Sequence, residues 1–172
     1  VDNMKFLFAS DSFKGTLSSR RTAELLTQAA GEIFPGCSCA SIDIADGGEG
    51  TTEAVLSAVN GARVSLTVKG PLWEETSGFY GNLDGTRAVM EMAAASGLPL
   101  VPCNKRDPRK TTTYGTGQMI ADALEKGFRD ISIAIGGSAT NDGGIGCMRA
   151  LGVKFLDENG EELPGCGEDL IN

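Results

Sequence analysis

Short apolar runs alternate along the chain with breaks rich in glycine and polar residues, and the spacing inside each run predicts its element. Residues 5–9 form an apolar run that enters Ser10-Asp11-Ser12, which predicts a buried strand feeding a loop. From 18 to 34, apolar or small side chains at Thr22, Leu26, Ala29, Ala30 and Ile33 recur with helical spacing. Ser18 is placed to cap this helix, and Pro35-Gly36 ends it. A second strand is predicted over 41–45, then a loop over 46–50 and a helix over 51–59. This order is the unit of a parallel sheet flanked by helices.

The pattern then changes. Residues 64–68 alternate as a strand, Gly70-Pro71 interrupts, and strand-like runs at 76–83 and 87–92 meet at Asp84-Gly85, a strong hairpin signal. A helical turn at 93–97, a proline-punctuated connection over 98–110, and a helix opened by Gly115-Thr116-Gly117 and stopped at Gly127 follow. Next come a strand over 131–135, a loop over 136–144, a short helix around 147–151, a strand over 153–156 and a turn at 157–160. The expected class is α/β, a parallel sheet flanked by helices, with a second α/β part that contains a β-hairpin and begins near Gly70. Residues 165–172 do not read as the close of a finished domain.

Composition narrows the chemistry. The 172 residues include no histidine, which excludes Ser-His and Cys-His dyads, so acid-base work falls to carboxylates, Lys, Tyr or water. A net charge of −8 argues against a general nucleic-acid binder. Glycine, at 24 residues, is about twice its usual share and clusters in loops, which suggests backbone-lined binding surfaces. Cys37, Cys39, Cys103, Cys147 and Cys166 form no CxxC pair and read as reduced thiols. No run reaches the length of a membrane span and no signal-like segment opens the chain, so a cytoplasmic protein with no membrane partner is expected.

Three loops share one design: each follows a strand or an extended stretch, is rich in Gly or hydroxyl residues, and leads into an expected helix, where backbone N–H groups favour anions. In the loop 136–144, Gly136 and Gly137 permit close approach, Ser138, Thr140 and Asn141 add polar groups, and Asp142 suits a proton acceptor or an Mg²⁺ ligand. The loop 46–50 offers Asp46 as base or metal ligand, Gly47 and Gly48 as backbone donors, and Glu49 as a second metal ligand or an ordinary first-turn acid. After the first strand, Lys14 lies beside Asp11 and Ser12, where it can neutralise a phosphate or a carboxylate. The basic segment 105–110 runs into Thr113, Gly115 and Thr116, which can receive nucleotide phosphates or a carboxylate substrate. Walker, dinucleotide-fold and protein-kinase motifs are absent.

Five stretches taken together resemble a known family: 11–15 (DSFKG), 45–51 (ADGGEGT), 91–98 (EMAAASGL), 111–117 (TTTYGTG) and 136–144 (GGSATNDGG). In order and spacing they are similar to the bacterial glycerate kinases, with Ser10 in place of a usual Pro and Cys166 interrupting a terminal glycine cluster. Family members are roughly twice as long, so the chain looks like an N-terminal half. The resemblance implies a flavodoxin-like domain whose first piece is 4–69 and an inserted domain represented by 70–172. It also implies ATP-dependent phosphorylation of D-glycerate, at the 2-hydroxyl, with Mg²⁺. Lys14, Asp46 and Asp142 are then the catalytic candidates, and Asp142 and Glu49 the metal candidates. Asp11, Ser12, Gly47, Gly48, Thr113, Gly115, Thr116, Gly136, Gly137, Ser138, Thr140 and Asn141 are the substrate and phosphate candidates. A C-terminal half is the expected partner and a homodimer is left open. The competing reading is a half-length protein that binds an organic acid or a nucleotide without turnover.

Overall fold

The computed structural model describes residues 4–13 and 15–171. Contacts divide the chain into two compact units that meet in sequence at Asp46 and Gly47.

In the first unit, β1 (Lys5–Phe8) and β2 (Ser38–Ser41) pair in parallel, with α1 (Ser19–Ile33) between them in sequence. Ser18 caps α1 as expected: its hydroxyl accepts the Arg21 N–H at 3.1 Å. Thr22, Ala23 and Ala30 form the buried side of the helix, and the Phe6 ring lies 5.3 Å from that of Phe34 at its end. Leu7, on the opposite face of β1, is 62% exposed, so the buried strand expected here is covered on one side only. A parallel strand is enclosed when helices lie on both faces, and α1 is the only helix of this unit among the described residues.

The second strand differs from expectation as well. It occupies Ser38–Ser41 rather than 41–45, because β1 supplies partners only from Lys5 to Phe8. The Ile42 N–H still reaches the Phe8 carbonyl at 2.9 Å, after which the chain around Asp11 and Ser12 turns away into its own short loop.

The second unit holds α2 (Thr51–Val59) and a four-stranded sheet ordered β3 (Ala62–Lys69), β4 (Glu75–Asn82), β5 (Arg87–Glu91) and β6 (Asp130–Ala134). β3 and β4 pair antiparallel over their whole lengths, β4 and β5 are antiparallel, and β5 and β6 are parallel. The interruption at Gly70-Pro71 is therefore the turn of a hairpin, closed by the Gly70 N–H on the Glu74 carbonyl at 2.7 Å. The compact units accordingly divide after Asp46 and not at Gly70; the 4–69 and 70–172 division concerns the domains of a longer protein and stands as a proposal.

At the predicted Asp84-Gly85 hairpin, Asp84 accepts the backbone N–H groups of Thr86 and Arg87, each at 2.9 Å. The Thr86 hydroxyl and the Arg87 guanidinium add to these bonds, and together they hold the Asp84 carboxyl well below the usual carboxylate range.

One face of this sheet is closed by α4 (Tyr114–Glu125), which brings Met119 and Ala123 onto Val68, Tyr80, Ala88 and Met90, with Phe128 at the edge. Burying such a set of side chains is the main force that holds the unit together. Gly115 allows the close contact, because a Cβ there would overlap the Lys69 carbonyl oxygen. The Tyr80 hydroxyl, fully buried, donates to Asp122 at 2.7 Å; burial and that carboxylate both hold its proton on.

Short α3 (Ala93–Ser96) and α5 (Ile145–Ala150) complete the regular elements. Residues 153–156, expected as a strand, form none. The Val153 N–H donates to the Met148 carbonyl of α5 at 3.0 Å, and the returning segment adds one bridge between Leu156 and Glu162 and the Leu163 N–H on the Phe155 carbonyl. The α/β class with a parallel strand pair and a hairpin is as expected.

Candidate functional site

Glu91 and Ala134 are partners in the parallel register, so β5 and β6 end side by side. Loops leaving the carboxyl ends of parallel strands are where α/β folds gather ligands. Here the loops are bonded to one another: Met92 N–H to the Ala134 carbonyl at 2.9 Å, Leu98 N–H to Gly137 at 2.9 Å, and Ala139 N–H to Ser96 at 2.9 Å. The Gly136 N–H donates to the Gly47 carbonyl at 2.8 Å, and a Cβ on Gly136 would stand 2.8 Å from that oxygen. Only glycine permits two backbones this near to each other.

The N-terminus of α2 was an expected anion cradle, and the chain itself fills it. Glu91 is almost fully buried, and its two oxygens accept the Gly50 N–H at 3.2 Å and the Thr52 N–H at 3.0 Å. A carboxylate satisfies the free N–H groups there and complements the helix dipole. The backbone of Gly47 and Gly48 lies against Gly136, while Glu49 stays exposed at the rim of a cavity of about 340 Å³ that Glu53, Arg63, Phe79 and Glu91 also line. Arg63 is bonded to Glu53 at 2.5 Å and stacks 3.7 Å over the Phe79 ring.

Asp142 is 2% exposed and accepts hydrogen bonds on both oxygens. Its Oδ2 accepts the Thr113 N–H at 2.8 Å, the Thr113 hydroxyl at 2.7 Å and the Gly146 N–H at 3.3 Å, while Oδ1 accepts the Gly144 N–H at 3.1 Å. This geometry organises the loop. Thr113 in turn accepts the Cys147 N–H at 2.9 Å, and the Thr116 hydroxyl meets that of Ser96 at 2.8 Å. Thr113, Gly115 and Thr116 are thus buried behind the loop, where they brace it.

Ser138, Thr140 and Asn141 line an open cavity of about 280 Å³ with Leu98, Val101, Arg106 and Asp107. The Ser138 and Thr140 hydroxyls lie 2.7 Å apart, and Ser138 Oγ also accepts the Thr140 N–H at 3.0 Å. Arg109 grips Asp107 through two bonds of 2.9 and 2.8 Å, which lowers the Asp107 carboxyl to about 2.

In the first unit, Asp11 accepts the Ser12 N–H at 2.7 Å, and Asp46 is exposed at the end of that unit. Lys14 lies outside the described residues. Among the described residues no cluster of three or more Cys, Asp or Glu is placed to hold a metal ion. Mg²⁺ needs only one or two carboxylates when substrate phosphates complete its shell. Glu49, exposed at a loop edge, fits that role, whereas Asp142 is 2% exposed with both oxygens already hydrogen-bonded within the loop. Glu91 and Arg106 are the two residues that the sequence reading did not single out. A lone acid inside the apolar run 88–92 was the available signal for Glu91, and membership of the basic segment was the one for Arg106.

The model of the glycerate kinase family matches residues 6–172. The chain belongs to the glycerate kinase family. Within it, the chain is 49% identical over 170 residues to the glycerate 2-kinase of Escherichia coli strain K12, covering 98% of this chain and 44% of that protein. It is 49% identical over 166 residues to a glycerate kinase of Bacillus subtilis strain 168, covering 95% of this chain and 44% of that one. A crystal structure of a provisionally assigned glycerate kinase 2 from Salmonella typhimurium LT2 superposes with a TM-score of 0.76 at 45% identity, over 98% of this chain and 46% of that chain. The chain thus spans a little under half the length of these relatives. No helix among the described residues is long and apolar enough to cross a membrane.

Proposed function

We propose that the chain is part of an ATP-dependent kinase that phosphorylates D-glycerate at the 2-hydroxyl, releasing ADP. The carrying observation is the family match over residues 6–172 together with relatives named as glycerate kinases at 49% identity. The geometry supports it, since the glycine- and hydroxyl-rich loops converge at the carboxyl ends of β5 and β6. Phosphoryl transfer asks for positioning and charge neutralisation more than for covalent chemistry, so a site without histidine is adequate.

In this reading the glycerate hydroxyl oxygen bonds to the γ-phosphorus as the bond to ADP breaks. Asp46 takes the proton and Lys14 supplies positive charge to the anionic reactants, both assigned on their chemistry. Glu49 is the proposed Mg²⁺ ligand; the ion, when bound, neutralises phosphate charge. Asp142 holds the 136–144 loop in shape, a positioning role in place of base or metal ligand. Cytoplasmic location and a C-terminal half as partner belong to the same proposal.

The test is ATP consumption by the longer protein that contains this chain, with D-glycerate and Mg²⁺, and identification of the product by its proton–phosphorus couplings. The expected product is 2-phosphoglycerate, with activity lost in Asp46→Asn. Turnover of other hydroxy acids but not glycerate would sink the substrate; formation of 3-phosphoglycerate would sink the position. Binding of glycerate with no ATP consumption is the outcome that favours a binding protein instead.

A further inference from the structure

Among the residues that line the cavity at the 138–141 loop, the one cation, Arg106, is left without a counter-charge of its own. Arg109 and Asp107 neutralise each other through two parallel hydrogen bonds, but Arg106, on the same wall, makes no ion pair among the described residues. Its Nε–H reaches only the Val101 carbonyl, at a long 3.4 Å. A guanidinium carries several N–H donors in a fixed fork that matches a carboxylate, so most of this fork is open to a ligand. Ser138 and Thr140, with their hydroxyls, and Asn141, with its amide, line the same cavity, and Leu98 and Val101 add apolar surface.

We propose that this cavity is the subsite for a small hydroxy monocarboxylic acid, with its carboxylate on Arg106 and its hydroxyls on Ser138, Thr140 and Asn141. The identity of the acid as glycerate rests on the function proposed above; the preference for one carboxylate rests on the cavity. One unmatched cation answers one carboxylate, whereas a nucleotide's phosphates bring several negative charges and ordinarily meet helix N-terminal amides. The α2 N-terminus, which has such amides, already holds Glu91. A volume of about 280 Å³ lies at the small end of ligand pockets and suits a three-carbon acid better than a whole nucleotide.

The experiment is an amide-resolved NMR titration of the longer protein that contains this chain with D-glycerate, glycerol, inorganic phosphate and ATP. Saturable shifts are expected at Val101, Ser138, Ala139 and Asn141 with D-glycerate and not with glycerol, which has the hydroxyls without the carboxylate. Arg106→Gln is expected to weaken D-glycerate about tenfold or more, the scale of one charge-assisted hydrogen bond. Arg106→Lys, which keeps charge without the fork, should fall between. Lys154→Gln, which removes an equal charge outside the cavity, should leave the affinity unchanged, and amide dispersion checks that each variant is folded. The proposal is overturned if D-glycerate produces no saturable shifts, if they fall around Glu49 and Glu53, if Arg106→Gln binds as wild type, or if only phosphate or ATP occupies the cavity. Failure here with glycerate turnover intact in the longer protein removes the subsite alone. Arg106-dependent carboxylate binding without glycerate turnover removes the proposed function alone.

Discussion

Replacing Asp142 by Asn changes one atom's chemistry at the centre of the loop and tests whether this carboxylate is structural. In the better of its two orientations, the Asn oxygen takes the place of Oδ2 and keeps Thr113 and Gly146, while its NH₂ faces the Gly144 N–H. Two donors then oppose each other in a site that is 2% exposed. The loss is one hydrogen bond to a charged group, about 1.5–3 kcal/mol, plus weakening of three others from charged to neutral. Burying an amide costs less than burying a carboxylate, which returns part of this. The balance is about 2 kcal/mol of destabilisation. With a urea slope of about 2 kcal/mol per M, the unfolding midpoint should fall by about 1 M. Trp73, the single tryptophan, sits 5.2 Å from the Tyr114 ring, so its fluorescence reads the second unit directly. Glu158→Gln, on an exposed acid, is the control and should move the midpoint little. Equal midpoints for the two variants would refute the reasoning, and a stabilised Asp142→Asn would show that desolvation of the carboxylate outweighs its bonds.

Three further outcomes are expected. Gly115→Ala should destabilise by about 1–3 kcal/mol or more, since its Cβ meets backbone oxygen, while Gly31→Ala, on the open face of α1, should stabilise by about 0.5–1 kcal/mol; thermal unfolding of both variants checks the opposite signs. Asp107, whose carboxyl Arg109 lowers to about 2, contributes stability that is present above the usual carboxylate range and is lost as pH falls through about 2. Its carboxyl carbon should titrate near 2 at low salt and move upward in Arg109→Gln or concentrated salt. Burial and the neighbouring Asp169 push the Cys166 thiol up to about 11, so iodoacetamide at mild alkaline pH should label exposed Cys103 well before Cys166, as mass spectrometry of timed digests would show.

Elements whose signals are local were legible in the sequence. Ser18 caps α1, Asp84-Gly85 closes a hairpin, and the apolar runs at β3 to β6 lie where their spacing put them, because each depends on neighbours a few residues away. Strands need partners, and these are set by the tertiary fold. Residues 42–45 and 153–156 have strand-like side chains, but beyond the Ile42 N–H on Phe8 and the single Leu156 bridge they join no sheet. The same limit applies to the candidate site. Ser138, Thr140 and Asn141 are gathered at one cavity, but reactive side-chain types say nothing of burial, so Asp142 and Thr113 read as chemistry and fold as bracing. Glu91 was the converse case, an acid in an apolar strand whose partners, the amides of Gly50 and Thr52, lie about forty positions earlier in the chain.

The three consecutive threonines carry a consequence for the order of assembly. Thr111 bonds the Ala139 carbonyl 28 positions away, Thr113 bonds Asp142 at a separation of 29, and Thr112 bonds the Gly165 carbonyl at 53. Thr111 also reaches the Pro108 carbonyl three positions back, but the three distant bonds form only once the chain has returned, and long closures of this kind slow folding more than they weaken the product. The run 111–113 is thus a clasp that closes only on separated parts of the second unit, so the loop shape on which ligand binding would depend is tied to the folding of that whole unit.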